Sequence, residues 1–281
     1  LARTAEHILQ NVLEELRVSD FAPIDYEVDF SRGGDLPPVT CADGEGDVSL
    51  SGKVDRVDGY IQNGRLYLRV MDYKSGKKSF SLSDIWHGLN MQLVIYLYAL
   101  QQEGLERYRA RLEAELNEIV PAGVLYVPVR DELPEAARDA DEDTLRALRD
   151  KALRRSGLLS DDMELLEAME HGLESDRRFL PGSLKVKKGE DAPSLTAKSA
   201  VADLEKFGRL ARYTHQKLLE MGHELRAGSV TADPCKKDKQ SSYCDWCDFR
   251  AACRFDETAG DKARFLKHLS DEEFWQQVGG E

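Results

Sequence analysis

The segment from Val48 to Ser75 constrains the fold more than any other part of the chain. Val48, Leu50, Gly52 and Val54 alternate before the dipeptide Asn63-Gly64, and Leu66, Leu68, Val70 and Asp72 alternate after it. A period of two is the signature of a strand with one buried face. Asn-Gly accepts the positive φ angles of a two-residue turn. A long β-hairpin is therefore predicted. Asp72 and Lys74 lie two apart on its second strand and project from the same face. Asp55 lies on the first strand, and its register against Asp72 is not set by the sequence.

Around the hairpin the pattern alternates between helix and strand. Ile8, Leu9, Val12, Leu13 and Leu16 recur at helical spacing over residues 5–17. The run DYEVDF around Glu27 reads as a strand, ended by Gly33, Gly34, Pro37 and Pro38. Ser83 is expected to cap a helix from about Asp84 to Gln102, which carries Gln92 and Tyr96 one turn apart. Ala122 to Val129 reads as a further core strand. Helices are predicted near 142–154, 161–173 and 197–227, with an exposed loop over 181–193. A cysteine segment over 235–256 and a last amphipathic helix to about Gln277 close the chain. The expected organisation is a core over 1–231 and a smaller C-terminal segment over 232–281, forming one structural unit.

Asp55, Asp72 and Lys74 form a group suited to phosphodiester hydrolysis. Carboxylate oxygens suit hard divalent cations such as Mg²⁺ or Mn²⁺. Such a cation polarises a phosphoryl group and acidifies water, and a lysine beside it can orient that water or offset charge in the transition state. The Tyr73 carbonyl is a further candidate ligand. An isolated Asp-x-Lys is more often a hairpin ion pair. The position of both aspartates at the ends of apolar strands, with a Gln-x-x-x-Tyr helix following, favours a site.

Of the five cysteines, Cys244, Cys247 and Cys253 fall within ten positions. Without secretory features, a metal or cluster site explains them better than disulfides do. Soft thiolates at this spacing suit zinc or an iron–sulfur cluster. Cys235 and Cys41 are the remaining thiols, and Cys41 is expected to sit free in a polar loop. The 281 residues carry a net charge of −13, which argues against non-specific phosphate binding by the whole surface. Its basic runs are local: Lys74, Lys77 and Lys78; Lys185, Lys187 and Lys188; Lys236, Lys237 and Lys239. A solvated face or loop is the bland alternative for each, and the favoured reading for the last two. No Gly-x-x-x-x-Gly-Lys-Ser/Thr loop is present, so ATP hydrolysis by this chain is not expected. The six histidines are assigned no role, although His87 is placed near the Gln92 helix.

The blocks GKVDRVD (52–58), VMDYKSGKKSF (70–80), GLNMQLVIYLYAL (88–100) and CDWCDFRAACRFD (244–256) resemble the PD-(D/E)xK nuclease superfamily in its RecB-like branch. The resemblance spans almost the whole chain and is nearest to the C-terminal nuclease domain of the B subunits of AddAB-type helicase–nucleases. It implies an α/β fold of restriction-endonuclease type, with a central mixed sheet flanked by helices and a C-terminal cysteine-rich module. It implies that Asp55 and Asp72 are metal ligands, that Lys74 is the catalytic lysine, that Gln92 and Tyr96 line the site, and that Glu27 supports metal or water. Cys244, Cys247 and Cys253 are implied ligands of a [4Fe–4S] cluster. The implied function is a bacterial, cytoplasmic DNA exonuclease that degrades the 5′-ended strand during break repair, fed by a helicase and partnered by an AddA-like subunit.

Two family features find no match here. The Gly-x-x-x-His metal ligand and the Cys-Pro-aromatic fourth cluster ligand are expected upstream of Leu1, in a longer protein of which this chain is a piece. A catalytically silent scaffold that binds DNA or a partner, and a stand-alone Cas4-like exonuclease with its own cysteine cluster, are the alternatives.

Overall fold

The structure, a computed structural model, describes residues 2–42, 44, 46–76, 78–129, 135–173, 179–181, 185–187, 194–195, 200–238 and 242–279, the side chains of Ala2 and Arg3 excepted. Lys77, Lys188 and Lys239, most of the 181–193 loop and the first residues of the expected 197–227 helix lie outside this set.

In chain order the elements begin with helix α1 (Ala2–Arg17), strand β1 (Ala22–Asp29) and a small ribbon of β2 (Val39–Ala42) and β3 (Asp47–Leu50). The expected hairpin follows as β4 (Lys53–Gln62) and β5 (Arg65–Lys74), turning at Asn63 and Gly64, both at positive φ. Helices α2 (Leu82–Trp86), α3 (Gln92–Glu103) and α4 (Leu105–Leu112) lead to β6 (Glu118–Pro128). Then come α5 (Glu142–Ala152), β7 (Ser156–Ser160), α6 (Met163–Met169), the two-residue strands β8 (Val186–Lys187), β9 (Ser194–Leu195) and β10 (Val201–Ala202), and the long α7 (Leu204–Arg226). The C-terminal part holds β11 (Cys235–Lys236), α8 (Arg250–Cys253), β12 (Arg264–Phe265) and α9 (Asp271–Gly279).

The central sheet has the order β1-β4-β5-β6-β7-β10. It is mixed: β5 pairs parallel with β6, and β7 with β10, while the other pairs are antiparallel. The parallel pair needs a crossover, which α2, α3 and α4 supply. One face of the sheet packs Leu66, Leu68 and Val70 against Leu93, Val94 and Leu97 of α3 and Leu210 and Leu218 of α7. The other face packs Met71, Leu125 and Val127 against Leu166 and Met169 of α6.

Several boundaries depart from the sequence expectation. The helix expected from Asp84 to Gln102 is broken, because Gly88 and Asn90 adopt positive φ between α2 and α3. Ser81, not Ser83, caps α2 through the Asp84 N–H. Ser83 is buried, and its hydroxyl accepts the Leu269 N–H. The alternation from Val48 to Val54 is divided between β3 and β4. Cys41 is not in a polar loop; it is buried in β2. The strand β7 and helix α4 carry no clear sequence signal.

The orientation of α1 departs from its apolar pattern, with Ile8, Val12 and Leu16 only half-buried. Leu9 and Leu13 are exposed, whereas Asn11 and Glu15 are buried. A buried charge network explains this orientation. The Arg155 guanidinium donates to Glu15 Oε2 and Asn11 Oδ1, each at 2.6 Å. Arg69, in the middle of β5, lies 3.4 Å from Glu15 and 2.9 Å from Asp58. Arg56 grips Asp58 with two bonds of 2.6 Å. An unpaired buried charge is costly, so α1 presents the carboxylate that these guanidiniums require.

Candidate active site

The hairpin keeps one register from Gln62↔Arg65 to Arg56↔Met71. The next positions along it are Asp55 and Asp72, so the two carboxylates stand across from one another. Residues opposite in an antiparallel pair share a face. The backbone ladder stops there because the Tyr73 N–H donates 2.8 Å to Asp55 Oδ2 instead of continuing it. The site thus forms where β4 and β5 end their pairing, at the carboxyl end of the parallel β5/β6 pair. Open α/β sheets bind ligands in that place.

Asp72 is almost fully buried. Burial pushes its carboxyl above the ordinary value, and the Asp55 charge adds to this, against the opposing pull of Lys74 and Lys78. Lys74 Nζ lies 2.6 Å from Asp72 Oδ2. No other donor among the described residues reaches that oxygen. A buried carboxylate with one cationic neighbour and a second carboxylate beside it has room, chemically, for another positive charge. The donors Asp55, Asp72 and the Tyr73 carbonyl are all oxygen, the set a hard divalent cation prefers. The group fits such a cation as a partial ligand set: among the described residues no three His, Cys, Asp or Glu side chains are close enough to hold a metal by themselves.

Helix α3 brings Gln92 and Tyr96 to the entry of β4. The Tyr96 hydroxyl accepts from Gln92 Nε2 at 3.0 Å and from the Lys53 N–H at 3.2 Å. Its ring stacks on Phe30 with centroids 6.0 Å apart. Gly52 is required beneath that ring, since a Cβ there would stand 2.7 Å from the hydroxyl. Tyr96, with Gln92 bonded to it, therefore packs on the backbone that leads directly into Asp55.

Glu27 lies between the paired positions Tyr26↔Arg56 and Val28↔Val54, which sets it across from Asp55. It takes a positive φ of 53°, unusual for a residue with a side chain. Its carboxylate points to Lys53, 3.0 Å away on the exposed edge. The backbone brings Glu27 to the site while its side chain is engaged elsewhere.

Beside Lys74 runs a polar chain that the sequence does not reveal. The ammonium groups of Lys74 and Lys78 each lie 5.9 Å from the centre of the Tyr126 ring. Lys78 donates to Asn90 Oδ1, Asn90 Nδ2 donates 2.6 Å to Asp84 Oδ2, and Lys237 donates 2.5 Å to the same oxygen. Burial first, with the Asp72 charge behind it, pushes the Tyr126 hydroxyl up to about 12. His87 turns away and contacts the Lys267 carbonyl at 2.8 Å.

The cysteines are spread along the C-terminal segment. Cys235 is on β11, Cys244 in a short 3-10 turn, and Cys253 at the end of α8. Cys247 and Cys253 are exposed and Cys244 is half-buried. Their thiols are not gathered into one ligand set among the described residues.

A family profile described as the PD-(D/E)XK nuclease superfamily matches residues 1–254. The B subunit of an ATP-dependent helicase/deoxyribonuclease from Ruminiclostridium cellulolyticum is 33% identical over 278 residues, covering 98% of this chain and 23% of its own length. Proteins of the same name from Clostridium acetobutylicum and Acetivibrio thermocellus are 32% and 33% identical, covering 99% and 100% of this chain. They are matched over 23% and 24% of their lengths, so the chain spans about a quarter of these curated relatives.

Proposed function

Because the chain belongs to the PD-(D/E)XK nuclease superfamily, we propose that it hydrolyses DNA phosphodiester bonds with a divalent metal, Mg²⁺ or Mn²⁺, held by Asp55, Asp72 and the Tyr73 carbonyl. The observation that carries this reading is the pair of aspartates at the end of the β4/β5 ladder, with Lys74 Nζ 2.6 Å from the buried Asp72.

When bound, the cation supplies Lewis acidity toward a phosphoryl oxygen and acidifies water. The remaining roles belong to side chains. Lys74 orients the attacking water and offsets the charge that builds on the phosphoryl oxygens. Water oxygen bonds to phosphorus, the bond from phosphorus to the leaving sugar oxygen breaks, and one proton passes to that oxygen. Gln92 and Tyr96 place the DNA backbone at the entry of β4. Glu27, whose backbone lies across from Asp55, would support the metal or its water once its carboxylate leaves Lys53.

The names of the relatives support a place in an ATP-dependent helicase–nuclease. In that setting the substrate is a DNA strand delivered by a helicase, the 5′-ended one, and the partner is an AddA-like helicase–nuclease subunit in the bacterial cytoplasm. Among the described residues no helix is long and apolar enough to cross a membrane. We also assign Cys244, Cys247 and Cys253 to a [4Fe–4S] cluster, on their spacing and soft donor chemistry. The thiols do not converge, and no catalytic step is drawn through the cluster.

Thermal melting with added Mn²⁺ tests the metal site. A ligand at a hundredfold excess over its Kd stabilises the folded state by about 2.7 kcal/mol. The wild-type chain should melt higher with Mn²⁺, and Asp55→Ala and Asp72→Ala should lose the response. An equal response in all three would remove the metal assignment.

A further inference from the structure

Three lysines lie along the polar chain that begins at Asp72. Lys74 ends β5, Lys78 lies in the following loop, and Lys237 follows β11. Lys74 and Lys78 share one aromatic ring, Tyr126, at 5.9 Å each. Collecting like charges is unfavourable unless an anion answers them. Asp84 answers Lys237 directly, at 2.5 Å. It reaches Lys78 only through the Asn90 amide.

Among the described residues, Lys74 contacts the Asp72 carboxylate and Lys237 that of Asp84, whereas Lys78 is the member of the group that contacts no carboxylate directly. An ammonium has three donors. Among the described residues, one acceptor, Asn90 Oδ1, takes a hydrogen bond from it. That acceptor is neutral and pins the lysine beside Tyr126, with the other two donors available. Asn90 itself is fixed in a positive-φ conformation by the break between α2 and α3. The half-buried side chain is therefore preset rather than loose, which lowers the entropy lost when an anion binds.

We propose that Lys78 is a second lysine of the site, contacting a phosphate of the bound DNA strand next to the one that is cleaved, and held in place by Asn90 and Asp84. The proposal rests on the nuclease reading above and adds a substrate-binding residue to it. Burial first, with the neighbouring Lys74 charge adding to it, holds the Lys78 ammonium below the ordinary lysine value. Lys237 extends the chain of contacts through Asp84 to the cysteine segment.

The test is fluorescence anisotropy of a labelled single-stranded oligonucleotide, titrated with salt. Ca²⁺ replaces Mg²⁺ to limit cleavage. Each phosphate contact on a single strand adds about 0.7 to the slope of log affinity against log salt. Lys78→Ala should lower the slope by about that amount and bind more weakly, and Lys78→Arg should restore the slope. Circular dichroism and melting of both variants confirm folding. Wild-type binding with an unchanged slope in Lys78→Ala would overturn the Lys78 assignment alone. A wild-type chain that fails to bind the oligonucleotide would overturn this proposal together with the nuclease reading.

Discussion

Asp72 is held in a place that disfavours its charge, and this sets its behaviour in the absence of metal. Its folded-state carboxyl titrates above the ordinary 3.8, because of burial and then the charge of Asp55. The folded state therefore binds the proton more tightly than the unfolded chain does. Its contribution to stability falls as pH rises from the unfolded value through the raised folded one. Asp72→Asn removes that penalty. Without metal at about pH 7 the variant should melt higher than wild type, a common trade between stability and function. With Mn²⁺ it should gain nothing. A lower metal-free melting temperature would show that the Asp72 charge is not strained in the folded state. At this scale much of the site was legible: spacing alone placed Asp72 and Lys74 on one face. The Lys78–Asn90–Asp84–Lys237 chain was not, because it joins residues 153 positions apart through side-chain bonds that no local period encodes.

At the scale of elements, the hairpin and β1 followed from alternation and turn chemistry, and β6 from its apolar run, whereas β7 did not. The register of Asp55 against Asp72 did not, and it came from the unbroken ladder of β4 and β5. Helix α1 was readable as a helix but not in its orientation. Its apolar spacing competes with a buried carboxylate, and the guanidiniums of Arg155, Arg69 and Arg56 decide the outcome. An arginine in the run LYLRVM was the available hint that a counter-charge would be found. Burial pushes the Glu15 carboxyl up, but those guanidiniums outweigh it and hold it below the ordinary 4.5. The stabilisation is present above that value and lost as pH falls through the depressed folded one. Breaking a buried pair from one side costs about 3–5 kcal/mol. Glu15→Gln should be destabilised by that order at neutral pH in urea unfolding. Its stability should also fall less steeply than wild type as pH is lowered through 4.5 and below. Identical acid profiles would show that Glu15 does not carry this ionic contact.

Across the whole molecule, the chain's C-terminal helix returns to pack against α2 and α7. Phe274 of α9 is fully buried and meets Trp86, Tyr213 and Trp275 edge-on. The Tyr213 hydroxyl donates 2.6 Å to the Trp86 carbonyl. The segment bearing the cysteines is thus anchored at its far end to α2 and α7, and at Lys237 to Asp84. Phe274→Ala should cost about 3–5 kcal/mol, as large-to-small changes in a packed core do, and should unfold the chain cooperatively. A loss confined to α9, with the rest melting as before, would show that the clasp is local. The amphipathic pattern foretold this helix, but nothing in it named the aromatic partners.

Cleavage of an end-labelled DNA strand in Mg²⁺ or Mn²⁺ probes Asp55, Asp72 and Lys74 as a metal-dependent nuclease site. The wild-type protein, assayed within the helicase–nuclease assembly proposed for it, should cleave the strand, and chelation should abolish the reaction. Asp72→Ala and Lys74→Ala should each lower the rate by about two orders of magnitude or more, the usual loss when a group stabilising transition-state charge is removed. Equal cleavage by wild type and both variants would contradict this assignment.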